Sequence, residues 1–150
     1  MRSCFFIGHR EATETLLPKI KAATEMLVRN YNVSEFYVGG YGCFDRLAGR
    51  AVVEFKKEHP GLHLYRVIPY HPAERKIELP AGFDGTFYPD EMEAVPRRFA
   101  IPRANRMMIE SSDYLIAYVR HSAASNSFAL LELARRREKV GLITVINIAE

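Results

Sequence analysis

Five short apolar runs, at residues 3–7, 35–38, 62–68, 114–119 and 142–148, alternate with segments whose apolar residues recur at helical spacing. No other feature limits the fold as strongly. Between the first two runs, Leu16, Leu17, Ile20, Ala23, Leu27 and Val28 give one apolar face to a helix expected over 13–30. Pro18 falls early in it, where proline is most easily accommodated. Leu47, Ala48, Ala51, Val52 and Phe55 mark a second helix over 44–58, which His59-Pro60-Gly61 ends. Further helices are expected at 104–111 and 126–138. Strands that alternate with helices form a parallel sheet covered on both faces. The expectation is one α/β domain over 1–150, a Rossmann-like three-layer α/β/α arrangement with a mainly parallel sheet of about five strands.

One segment breaks the rhythm. Residues 70–103 carry Pro72, Pro80, Pro89, Pro96 and Pro102 together with Gly82 and Gly85. Such a stretch cannot hold a long regular element, and long irregular segments inside domains tend to be functional or mobile. A short helix is expected there at 72–77.

Composition excludes several classes. The chain has 150 residues, 48% apolar and 26% charged, close to the soluble globular average. No apolar run approaches the roughly 20 residues that span a bilayer. Arg10 and Glu11 cut the first apolar stretch too short for a signal peptide, so a cytoplasmic location is expected. Cys4 and Cys43 lack the spacing of a metal-ligand pair and read as free thiols, with no metal site. The net charge of +3 does not demand nucleic acid. Arginines bunch at Arg97-Arg98, Arg103, Arg106 and Arg135 to Arg137, and solvated helix faces suffice to explain them.

In parallel sheets, ligands gather at the carboxyl ends of the strands. That rule selects the loops 8–10, 39–45, 69–72 and 120–127. Gly8-His9-Arg10 offers a flexible residue, an imidazole and a guanidinium suited to bidentate phosphate contact. Gly39-Gly40-Tyr41-Gly42-Cys43-Phe44-Asp45 is a glycine-rich turn between a strand and a helix. N–H groups and the dipole there favour anions, although the spacing matches neither G-x-G-x-x-G nor the P-loop. Asp45 reads as a carboxylate at a helix N-terminus, as a ribose ligand, or as an anchor for Arg10. Arg46 and Arg50 share its helix and are expected to face solvent. Tyr70 can stack on a base, and His71 reads as a structural residue of a proline turn. Asn105 can reach the cleft, while Met107, Met108 and Ile109 read as core. Ser125, Asn126 and Ser127 offer N-caps and phosphate donors at a helix start. No Ser-His-Asp spacing, Walker lysine or zinc constellation is visible.

Together these residues resemble the SLOG superfamily, which groups cytokinin-activating phosphoribohydrolases with DNA-processing protein A. The closer likeness is to its bacterial branch of domains related to the cell-division-associated protein YpsA. Gly8, His9 and Arg10 match that branch's Gly-His-Arg signature, and Gly39, Gly40, Gly42 and Asp45 approximate its Gly-Gly-x-Gly-x-Asp. The chain departs at the last loop, where Ser125-Asn126-Ser127 replaces a Gly-Gly-Thr turn. It departs also at Ala104-Asn105, where an Arg-Asn pair is usual. The resemblance implies a Rossmann-like fold, a pocket for a nucleotide or an ADP-ribose-like derivative, and a dimer. The phosphoribohydrolase signature, with its catalytic glutamate, has no clean copy here.

Three readings follow. In the first, the chain is a nucleotide-binding sensor or carrier. Gly39, Gly40 and Gly42 admit the phosphate, Arg10 neutralises it, Asn105 and Ser127 complete the wall, and 70–103 covers the base or sugar. The second is a nucleotide N-glycosidic hydrolase with Glu110, Asp113 or Glu132 as its carboxylate. The third is a DNA-binding protein that uses the arginine clusters.

Overall fold

The computed structural model describes residues 2–120 and 126–150. Its centre is β1 (Arg2–Gly8), whose side chains alternate between two buried faces. Cys4 and Phe6 pack on one side; Phe5 and Ile7 pack on the other. Burial on both faces explains why the run is apolar without alternation. α1 (Leu17–Tyr31), β2 (Val33–Val38), α2 (Cys43–Glu58) and β3 (His63–Val67) follow. A long connection then leads to β4 (Gly85–Phe87), α3 (Ala100–Ser111), β5 (Tyr114–Tyr118), α4 (Asn126–Lys139) and β6 (Thr144–Asn147).

All six strands run parallel in the order β4-β3-β2-β1-β5-β6. The chain builds outward from β1 to one edge and then returns to its other side. The order therefore reverses between β1 and β5. Ile20, Leu27, Leu47 and Val52, from α1 and α2, cover the face that carries Phe6 and Phe36. Met108, Ile109, Leu131 and Ala134, from α3 and α4, cover the face that carries Phe5 and Leu115. This is the Rossmann-like three-layer domain expected, with one more strand. No described helix is long and apolar enough to cross a membrane.

Three local expectations are corrected. The first helix starts at Leu17, after a 3-10 turn at Glu14–Leu16, rather than at Thr13. Pro18 supplies no N–H, and its ring opposes the carbonyl four residues back, so α-helical bonding cannot run through Glu14. α1 ends at Asn32 in the left-handed conformation (φ 56°), which asparagine tolerates. The helix expected at 72–77 is a single turn at 72–74 followed by irregular chain, with the Ala73 N–H taken by His71 Nδ1 and the Glu74 N–H by the His71 carbonyl. The third helix begins at Ala100, four residues early, because Pro102 falls within its first turn, where a missing N–H costs nothing.

The added strand, β4, is held by a carboxylate. Asp84 accepts from the Leu64 N–H at 2.7 Å and from Lys56 Nζ at 2.5 Å, while its own N–H bonds the Leu64 carbonyl at 2.8 Å. At the other edge, buried Asn147 bonds both the N–H (3.1 Å) and the carbonyl (2.9 Å) of Val119, fixing the end of β5 against β6.

Candidate functional site

The reversal of strand order leaves a crevice outside the carboxyl ends of β1 and β5, the place where such sheets take ligands. A cavity of about 810 Å³ lies there. Its walls come from the end of β1, the 39–45 turn, Tyr70, the residues leading into α3, α3 itself and the face of α4 from Asn126 to Arg136.

Two loops are knitted together at its base. The Arg10 carbonyl accepts the N–H of Cys43, the first residue of α2, at 3.0 Å. This draws the Arg10 backbone so close that a Cβ at Gly42 would sit 2.9 Å from Arg10 Cα; Gly42 also has φ +117°, where only glycine is unstrained. A Cβ at Gly40 would lie 2.2 Å from the Arg66 guanidinium. Gly40 and Gly42 are absent from the cavity wall and serve loop-to-loop packing, whereas Gly8 and Gly39 line it.

His9 is fixed on both sides. Its N–H donates to the Tyr118 carbonyl at 3.3 Å, and its Nε2 accepts the Arg120 N–H at 2.9 Å. The neutral ring thus carries its proton on Nδ1. Burial foremost, then the Arg120 charge, holds the imidazole below its ordinary pKa, with Glu11 opposing. His9 ties the ends of β1 and β5 together as a neutral ring. Across the cleft, Ser127 Oγ donates to the Gly8 carbonyl at 3.2 Å and joins the start of α4 to the same strand end.

Asp45 stands in the first turn of α2 and accepts the Tyr41 N–H on Oδ2 at 3.1 Å. Burial pushes its carboxyl up to about 7, against the opposing pull of the Tyr41 hydrogen bond and of Arg66 and Arg10. It is the one carboxylate on the cavity wall among the described residues.

Five arginines line the same wall: Arg10, Arg97, Arg98, Arg106 and Arg136. The Arg97 guanidinium stacks over the Tyr70 ring at 4.7 Å. Arg97, Arg98, Arg106 and Arg136 read from the sequence as solvated faces. For Arg136 the signal was positional: Asn126, Leu130, Leu133 and Arg136 all line the cleft and recur at helical spacing along α4.

Of the other expected site residues, Tyr70, Asn105, Asn126 and Ser127 also line the cavity, while Ser125 lies outside the described residues. The three carboxylates considered for catalysis do not line it. Glu110 is exposed on α3, with its nearest cation Arg106 Nε at 3.9 Å. Asp113 precedes β5, at the opposite end of the strands, where it accepts the Ser3 N–H at 2.9 Å. Glu132 borders a separate cavity on the outside of α4. Cys4 and Cys43 are free thiols, and no group of three His, Cys, Asp or Glu capable of holding a metal occurs among the described residues.

Fold and site together define a Rossmann-like α/β domain with an arginine-lined cleft at its topological switch point. No family model matches the chain, and no curated protein matches it either, so the SLOG resemblance stands on the motifs quoted above.

Proposed function

We propose that the cleft binds a nucleotide or a nucleotide-derived anion, and that the protein acts as a sensor or carrier of it. The observation that carries this reading is the balance of charge: five arginines and a single carboxylate face one cavity at the sheet's switch point. Guanidinium groups give phosphate paired, charge-assisted hydrogen bonds, and Asp45, with its carboxyl pushed up to about 7, opposes an anion only weakly below that pH. Asn105, Asn126 and Ser127 supply neutral polar contacts, and Tyr70 supplies a ring for stacking. Thermal denaturation with AMP, ADP, GMP, GDP, nucleotide sugars and ADP-ribose tests the reading. A ligand at about 100 times its Kd adds about 2.7 kcal/mol, and Arg10→Ala with Arg98→Ala is expected to abolish the shift. No shift with any of these compounds refutes the reading.

A second reading has its own observation. Asp45 is placed on the cleft wall with a pKa suited to proton donation near neutrality, as cleavage of an N-glycosidic bond in a nucleotide requires. Release of free base from nucleoside monophosphates that is abolished by Asp45→Asn but kept by Glu110→Gln and Glu132→Gln would establish it. The DNA-binding reading has less to draw on. Arg135 is engaged by Glu138 and Glu150, each at 3.0 Å, and Arg137 donates to the Glu110 carbonyl.

A further inference from the structure

We propose that a smaller cavity beside the cleft is the base subsite of the nucleotide, and that it selects guanine. The inference rests on the nucleotide reading above and adds the identity of the base. This second cavity, of about 370 Å³, adjoins the main cleft, and Tyr70 and Arg97 line both. Its floor is apolar, formed by Met92 and Val95, and Tyr70 and Tyr88 give it aromatic walls. Glu74 holds Arg97 at 3.4 Å, which keeps that guanidinium on Tyr70, between the two cavities.

The polar groups discriminate. His71 Nδ1 accepts the Ala73 N–H at 3.0 Å, so the neutral ring carries its proton on Nε2. Nε2 stands 3.7 Å from Glu93 Oε1, too far for a hydrogen bond between them. A single donor therefore sits beside a carboxylate that can accept twice. Guanine presents the complement in order: O6 as acceptor, then N1–H and the 2-amino group as donors. Adenine offers its 6-amino group and an N1 acceptor, which pairs the imidazole but leaves one carboxylate oxygen without a partner. That oxygen keeps its water, so adenine forgoes one of the two charge-assisted hydrogen bonds that guanine makes to Glu93.

Calorimetric titration with GMP, IMP, AMP and ribose 5-phosphate tests the assignment. The wild-type protein is expected to bind GMP about tenfold or more tightly than AMP. IMP, which lacks the 2-amino group, falls between them, and ribose 5-phosphate binds more weakly than any of the three. Glu93→Gln, at an exposed position, is expected to erase the preference for GMP while leaving ribose 5-phosphate affinity unchanged. AMP binding as tightly as GMP, or a preference for GMP that survives in Glu93→Gln, overturns the guanine assignment and leaves the nucleotide reading intact. Absence of binding by all four compounds overturns the guanine assignment, and it overturns the nucleotide reading itself when ADP-ribose and the nucleotide sugars are silent as well.

Discussion

Asp45 makes the stability of this protein depend on pH in an unusual direction. Its carboxyl moves from an ordinary 3.8 to about 7 on folding, chiefly because burial disfavours the anion. Below about pH 4 the group is protonated whether the chain is folded or not, and it costs nothing. As pH rises from 4 to 7 the unfolded chain ionises while the folded chain keeps its proton. Folding is then linked to proton uptake, and stability falls by up to about 1.4 kcal/mol for each pH unit. Above 7 the loss levels off at about 4 kcal/mol. Asp45→Asn keeps an acceptor for the Tyr41 N–H and removes the ionisation. Urea denaturation of both proteins at intervals from pH 4 to 8 isolates the effect, because every other titrating group cancels in the difference. The variant should match wild type near pH 4 and exceed it by up to about 4 kcal/mol at pH 8. A difference that stays flat across this range refutes the reasoning.

Three further outcomes follow from the packing. Gly42→Ala, which forces a Cβ onto φ +117° and against the Arg10 backbone, should lose about 1–3 kcal/mol in urea denaturation. Asn147→Leu strips partners from the Val119 N–H and carbonyl, and should cost about 2–3 kcal/mol and speed exchange of the Val119 amide. Asp84→Ala should release β4, seen as faster exchange of the Ile68 amide that bonds the Phe87 carbonyl, with the β1 amides unchanged.

The layers of the fold were legible because apolar spacing depends on burial, and burial here follows the sheet closely. Runs such as Cys4 to Ile7 announce a strand covered on both faces. β4 left no such trace. It is three residues long, and Asp84 and neighbouring backbone hold it rather than any pattern of its own. The loops of the cleft were legible from the strand ends they follow, which brought Gly8, His9, Arg10, Gly39 and Asp45 to notice. Arg98 and Arg136 were not, because a guanidinium that faces a cleft and one that faces open solvent occupy similar exposed helix positions. The glycines illustrate a different difficulty. Sequence shows that Gly40 and Gly42 are needed but not which neighbour needs them, and Arg66 and Arg10 are that neighbour. The carboxylates at 110, 113 and 132 were judged by chemistry alone, and three-dimensional placement puts each outside the cleft.

The position of β1 between β2 and β5 also governs how the chain emerges from the ribosome. Its partner on one side arrives within some thirty residues, but Tyr114 to Tyr118 arrives more than a hundred residues later. Until then the nascent chain holds an open strand edge, with Phe5 and Ile7 still lacking the helices that cover them. At synthesis rates of about 5–20 residues per second, that exposure lasts several seconds, long enough for a chaperone to engage or for neighbouring chains to pair along the edge. The cleft lies on the seam that this last step closes. Any ligand it accepts therefore binds only finished molecules and draws the folding equilibrium toward them.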